Sequence, residues 1–278
     1  MKIGIVGLGL IGGSLAIDLR SQGHQIYGVS RQADTCQIAL SQGIVDEGST
    51  DVAILAPTEV IIICTPIQAI APTIKQIIPH ISPETIITDV GSVKQPIVEE
   101  CSQLWQNFIG GHPMAGTTAS GIEAAVANLF TGAAYVFTPT DQSKPENVEK
   151  LKAIARELNA IPHVCDAQIH DRAVSWISHL PVMISASLIK ACLQEESDTL
   201  SLAQTLASSG FRDTSRVGGG NSELGVMMAK YNQAELLRSL LQYRQNLDEI
   251  IALIKEEDWQ NLETILQTNA TARPRFLN

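Results

Sequence analysis

Short runs of β-branched and apolar residues alternate with stretches of helical periodicity up to about residue 166, and then the runs stop. Lys2 to Val6, Gln25 to Val29, Val60 to Cys64, Thr85 to Asp89, Asn107 to Gly110 and Ala133 to Thr138 read as strands, with Ile161 to Cys165 as a last one. Between them Gly13 to Ser21, Ala69 to Ile78, Lys94 to Cys101 and Glu146 to Leu158 carry helical spacing. Such alternation suits a parallel sheet covered on both faces, because each crossover helix buries an apolar stripe against the strands. The predicted class is α/β, with a doubly wound parallel sheet over residues 1–165 and an all-helical C-terminal domain over 166–278.

In the helical part, Gln168 to His179, Val182 to Leu193, Leu200 to Ser208, Ser222 to Lys230 and Gln233 to Glu256 read as helices. Asn232 followed by Glu235 predicts a capping box at the start of the last one. Leu236, Leu240, Tyr243, Leu247, Ile250 and Ile254 then recur at alternating spacings of four and three, and Leu237, Leu241 and Ile251 widen the seam. Packing inside the domain would use such a seam. So would a dimer interface, and a homodimer held by the helices between Ser222 and Thr268 is the expectation.

Composition narrows the function classes. The 278 residues are 45% hydrophobic and carry a formal charge of -10, which argues against a nucleic-acid sheath. A few arginines and backbone amides focused in one cleft could still hold an anionic small molecule. The five cysteines (Cys36, Cys64, Cys101, Cys165, Cys192) have no Cys-x-x-Cys spacing and an odd number, which points to a reducing cytoplasm. No apolar run reaches the roughly 20 residues of a membrane span, and no metal site is expected. The apolar N-terminus resembles a signal peptide only superficially, since Gly7, Gly9 and Gly12 suit a strand-turn-helix instead.

Gly7-Leu8-Gly9-Leu10-Ile11-Gly12 follows the first strand and opens the first helix, the context that gives G-x-G-x-x-G its meaning. Gly7 serves the turn, Gly9 the approach of a pyrophosphate and Gly12 close packing of helix on strand. The helix N-terminus supplies free N–H groups. The N-terminal domain is therefore Rossmann-like. The second strand ends on Ser30-Arg31, where an NAD-specific site would place a carboxylate on the ribose 2'-hydroxyl. A hydroxyl and a guanidinium suit a 2'-phosphate, so the expected cofactor is NADP, with Thr35 as an extra hydroxyl. Thr65 and Pro66, at the tip of the third clear strand, belong to the same rim.

Two further strand tips are rich in chemical groups: Asp89-Val90-Gly91-Ser92-Val93-Lys94, and Gly110-Gly111-His112-Pro113-Met114-Ala115-Gly116-Thr117. His112, wedged between glycine and proline after a buried strand, faces the same cleft as Ser92. Together with Gly7 to Ser14, His179-Leu180-Pro181 and Gly210-Phe211-Arg212-Asp213 through Arg216, these segments make the chain resemble the prephenate and arogenate dehydrogenases of tyrosine biosynthesis. Gly-His-Pro-Met-Ala-Gly is the most specific of the five.

The resemblance implies a helical domain that dimerises and contributes to the active site, and an oxidative decarboxylation of a cyclohexadienol. It makes His112 the group that takes the C4 hydroxyl proton and Ser92 its hydrogen-bonding partner. Arg216 becomes the clamp on the substrate carboxylate, with Arg212 nearby; one of these two arginines is structural. His179 either lines the pocket or packs between helices, Thr117 stands at the substrate side, and Asp213 is a candidate partner for an ammonium group. Relatives that accept prephenate commonly read His-Leu-Pro-His, whereas this chain has Val182, which favours arogenate; prephenate is the alternative substrate. With the chain ending at Asn278, no separate effector domain is expected, and inhibition by tyrosine would have to be competitive. A β-hydroxyacid dehydrogenase would need an Asn one turn after a catalytic Lys, but Ala191-Cys192-Leu193 follow Lys190. A nonenzymatic NADP sensor would need no ionisable group at the nicotinamide.

Overall fold

A computed structural model describes residues 1–117 and 119–277. Eight strands, β1 (Lys2–Val6), β2 (Gln25–Val29), β3 (Glu47–Ser49), β4 (Val60–Ile63), β5 (Ile86–Asp89), β6 (Phe108–Pro113), β7 (Ala134–Thr138) and β8 (Ile161–Val164), form one sheet in the order β3-β2-β1-β4-β5-β6-β7-β8. The first six strands in that order are parallel. β7 runs antiparallel to β6 and parallel to β8, so the expectation of a wholly parallel sheet fails at this edge. The reason is the connection: among the described residues between β6 and β7 there is no crossover helix, only a loop with a 3-10 turn at Ile122–Ala124, and reversal is then the available geometry.

The crossovers place α1 (Leu10–Ser21), α2 (Ala33–Ser41), α3 (Ile70–Ile77), α4 (Gln95–Leu104) and α5 (Pro145–Glu157) on the two faces. Alternation along the strands divides the core accordingly. Ile3, Ile5 and Ile62 pack with α1 and α5, while Ile61, Ile63 and Ile87 pack with α3 and α4. β3 and α2 do not stand out in the sequence, since β3 is three residues long and α2 carries only Cys36 and Ala39 as buried positions.

The second half is helical: α6 (Ala167–Val174), α7 (Leu180–Cys192), α8 (Ser197–Leu206), α9 (Ser209–Ser215), α10 (Ser222–Tyr231), α11 (Gln233–Lys255) and α12 (Trp259–Ala272). α6 and α7 join through a π-helical turn at Ser175–His179. Pro181 explains the widening: it lacks an N–H, and its ring would strike the Ile177 carbonyl in a regular helix. The fusion makes Ala167–Cys192 a continuous helix of 26 residues, long and apolar enough to cross a membrane by length and composition alone. That corrects the expectation that no run approached that length. The same helix buries His170, Asp171 and His179 against its neighbours.

The capping box is also corrected. Asn232 gives no side-chain cap to α11. Its Nδ2 points inward, donating to the Asp171 carbonyl at 2.8 Å and to His179 Nδ1 at 3.1 Å, and Glu235 pairs with Arg238 at 2.7 Å instead. A buried imidazole nitrogen, together with a carbonyl that also accepts the Ser175 amide, outcompetes an exposed helix end for the Asn232 amide.

Candidate active site

Strand order reverses between β1 and β4, and the carboxyl ends of those strands open the crevice in which dinucleotides bind in sheets of this kind. Each motif glycine there has an observable reason. Gly7 has φ of +101°, and a Cβ on it would lie 2.5 Å from the Cys64 carbonyl oxygen. A Cβ on Gly12 would overlap the Gly7 carbonyl. At Gly9 a Cβ would meet nothing within 4 Å, which leaves the space in front of the α1 N-terminus clear. Gly9 is the N-cap of α1 and offers no side-chain acceptor, so the first amides of that helix stay free for an anion. Leu8 and Leu10 are buried and Ile11 half-buried, so this turn meets a ligand through its backbone.

Ser30, half-buried, and Arg31, exposed, end β2. The Ser30 hydroxyl accepts from the Gln32 amide at 3.3 Å, and Thr35 Oγ1 donates to Gln32 Oε1 at 3.2 Å. Among the described residues Arg31 makes no hydrogen bond or ion pair. α2 starts beside it without a side-chain cap, so a free cation and free amides coincide at the end of β2. On the opposite rim, Thr65 Oγ1 and Ser92 Oγ are buried without hydrogen-bond partners. Open glycine cradle, uncapped helix ends and orphaned hydroxyls together fit a dinucleotide laid across this edge.

Beneath it lies a buried ion pair. Lys94 Nζ donates to Asp89 Oδ2 and, at 2.7 Å, to the Gly111 carbonyl, while the Gly111 amide donates to Asp89 Oδ1 at 3.0 Å. Both side chains are fully buried. The pair therefore clamps the backbone immediately before His112. Burial pushes the Lys94 ammonium below its usual range, against the opposing pull of Asp89.

His112 is 8% exposed, and its Nδ1 lies 2.8 Å from His170 Nε2. His170 Nδ1 lies 2.8 Å from Asp171 Oδ1. Asp171 in turn accepts the Lys94 amide at 2.7 Å and the Gln95 amide at 2.8 Å, capping α4 from another segment of the chain. Burial lowers the His112 pKa well below the usual imidazole value, and the neighbouring His170, Lys94 and His179 add to the shift. His112 is thus neutral at pH 7, the state a proton acceptor requires. Burial likewise pushes His179 down to about 4, against the pull of Asp171. With Nδ1 accepting from Asn232, His179 carries its proton on Nε2, which is buried and unpartnered.

Not every sequence candidate joins this cluster. Arg212 and Asp213 pair with each other at 3.3 Å on the surface, each more than 70% exposed. Arg216 is exposed and opens a 3-10 turn at Arg216–Gly219 that packs against α7 through Gly218. Thr117 is exposed, with its hydroxyl accepting the Ala119 amide at 3.2 Å. Sequence reasoning missed His170, Asp171 and the pairing of Asp89 with Lys94. Adjacent His and Asp just after the Asp166 cap of α6 were the available signal, and nothing in their spacing reveals the distance to His112.

Comparison with known proteins agrees with the geometry. Residues 15–163 match the family model described as prephenate dehydrogenase, nucleotide-binding domain, and residues 166–268 match prephenate dehydrogenase, dimerization domain. The crystal structure of Synechocystis arogenate dehydrogenase is similar at 55% identity and a TM-score of 0.92, covering 99% of this chain and 100% of that one. A prephenate dehydrogenase from A. aeolicus, crystallised with hydroxyphenyl propionate and NAD+, superposes with a TM-score of 0.93 at 25% identity over 99% of this chain and 98% of its own. Prephenate dehydrogenase of Bacillus subtilis is 31% identical over 95% of this chain and 73% of its own length. The chain belongs to the prephenate dehydrogenase family.

Proposed function

We propose that this member of the family catalyses the NADP-dependent oxidative decarboxylation of arogenate to tyrosine, with His112 as the base. The observation that carries the chemistry is a buried imidazole at the carboxyl end of β6, on the sheet edge that also holds the Gly7 to Gly12 turn. When bound, the oxidised nicotinamide supplies the two-electron acceptor. His112 takes the proton of the C4 hydroxyl, so that the oxygen pushes electron density into the C–O bond as the C4 hydrogen departs as hydride. Ser92 holds the hydroxyl in line. The bond between the ring and its carboxylate breaks, CO2 leaves, and the electron pair it releases completes the aromatic ring and takes up a proton at the oxygen. Arg216 clamps the side-chain carboxylate, since a guanidinium fork matches two oxygens.

NADP is supported by Ser30 and by Arg31, which pairs with none of the described residues, at the uncapped start of α2. Arogenate is supported by the likeness to the Synechocystis enzyme and by Val182, whose Cγ1 lies 3.7 Å from where a Cβ on Gly225 of α10 would be. A valine packed there offers no positive charge to repel an ammonium, and Asp213 is a candidate to receive it. The exposed apolar face of α11 is proposed as the seam of a homodimer, and the five free thiols fit a reducing, cytoplasmic setting. The test is a turnover assay crossing arogenate and prephenate with NADP and NAD. The arogenate and NADP pair should give the highest kcat/KM, by at least the ~10-fold that 1.4 kcal/mol supplies on each axis. Equal or better turnover of prephenate would overturn the substrate assignment.

A further inference from the structure

The hydrogen bonds behind His112 define a direction for its proton. Asp171 sits at the N-terminus of α4, where its two oxygens accept the Lys94 and Gln95 backbone amides. A carboxylate can only accept, so the 2.8 Å contact with His170 Nδ1 puts the His170 proton on Nδ1. His170 is 3% exposed, and a neutral ring protonated at Nδ1 has only a lone pair at Nε2. The 2.8 Å contact from that nitrogen to His112 Nδ1 then requires His112 to donate. What remains on His112 is an unprotonated Nε2, for which no partner exists among the described residues.

We propose that His170 and Asp171 are positioning residues that lock His112 into the tautomer able to accept a proton at Nε2 and share the positive charge once it has done so. This rests on the reading of His112 as the base. The relay also crosses the boundary between the two halves, since His112 ends β6 of the sheet while His170 and Asp171 lie on α6. The helical region thereby completes the base of the nucleotide-binding region. The other charged or titratable groups around His112 are Lys94 and His179. Neither is hydrogen-bonded to it, and neither can set its tautomer.

Nitrogen-15 NMR of the histidine-labelled protein, with His112 assigned by difference from His112→Asn, reads the tautomer directly and without turnover. The wild-type ring should be protonated at Nδ1 and bare at Nε2. In Asp171→Asn the amide can donate to His170 Nδ1, which turns the relay around and leaves His112 protonated at Nε2. The kcat should fall on the order of 10² to 10⁴, the loss expected of a base held in the wrong tautomer, with KM for NADP unchanged. Because Asp171 also caps α4, a second pair of variants leaves the cap intact. His170→Gln keeps an acceptor near the position of Nε2 and should stay within about tenfold of wild type, whereas His170→Leu should lose 10² or more. A wild-type ring protonated at Nε2, or a folded His170→Leu enzyme with wild-type kcat, would overturn the proposal. Full activity of His112→Asn would instead remove the base assignment, with the nitrogen shifts still deciding the tautomer.

Discussion

The two halves of the molecule treat their apolar residues in opposite ways. Around the sheet, Ile3, Ile5, Leu15, Ile61, Ile63, Ile87 and Phe108 are at most 1% exposed, in two clusters, the second of which also takes Ala167, Met227 and Tyr231 from the helical half. Along α11 and α12 only Leu236 is buried among the large apolar residues, while Leu237, Leu241, Leu247, Ile251, Ile254, Trp259 and Leu266 stand 40 to 58% exposed. Exposed apolar surface on that scale marks an interaction face. The first half is a core completed by a few residues of α6 and α10, and the second is one layer of a core that needs another layer.

The largest expected effect tests the buried core of the first half. Removing one partner of a buried ion pair leaves the other charge uncompensated, at a cost of roughly 3 to 5 kcal/mol. Lys94→Met should therefore lower the unfolding free energy by about that much, and by the same amount at every protein concentration. A variant as stable as wild type in urea titrations would mean that the Asp89 and Lys94 pair does not hold the Gly111 backbone. On the other side, Leu241→Asp should weaken self-association by at least about 100-fold, since each dimer would lose the roughly 2 kcal/mol of leucine burial twice, more than the ~2.7 kcal/mol that 100-fold needs. Sedimentation should report twice the chain mass for wild type and the single mass for the variant at micromolar concentration. A wild-type monomer would reassign the exposed face to another partner.

The same contrast governs how much was legible beforehand. β1 and β2 are read to the residue because a strand buried on both faces is a continuous apolar run with turn residues at each end. β3 and α9 pass unseen, since β3 has no buried residue and α9 buries only the polar Ser215, so neither adds an apolar position to a core. Asn232 reads as a cap by every local rule and is instead claimed by Asp171 and His179, far away in sequence. His112 and Ser92 are visible as strand-tip chemistry, but the relay behind His112 spans 58 and then one residue of separation, and no periodicity encodes the first of those contacts.

A smaller effect tests the rim of the first half. Arg31→Ala removes an exposed cation with no partner among the described residues, so stability should hardly change. NADP affinity should fall by roughly 1.5 to 3 kcal/mol, as for a lost charged hydrogen bond, with NAD affinity little altered. Equal losses for both cofactors would show that Arg31 does not read the 2'-phosphate.

The smallest effect acts where the halves meet. His112 and His179 both have folded-state pKa values below the usual 6.5, His179 at about 4, because burial disfavours their charged forms. As pH drops below 6.5 the unfolded chain takes up these protons first, so ν for the unfolded state exceeds that for the folded state and stability falls. At one pKa unit per 1.36 kcal/mol, His179 alone should cost about 1 kcal/mol between pH 7.5 and pH 5.5, and His112 acts with the same sign. His179→Gln should flatten that slope in urea melts, and a slope unchanged by the substitution would place the acid sensitivity elsewhere. Activity should behave differently. His112 stays neutral below the ordinary histidine range, so kcat should hold steady from pH 7.5 through 6.5 while the fold is already loosening, and decline only at more acidic pH. An inflection in kcat at pH 6.5 would mean that His112 is solvated like a free imidazole, and the join between the two halves would then be open to water.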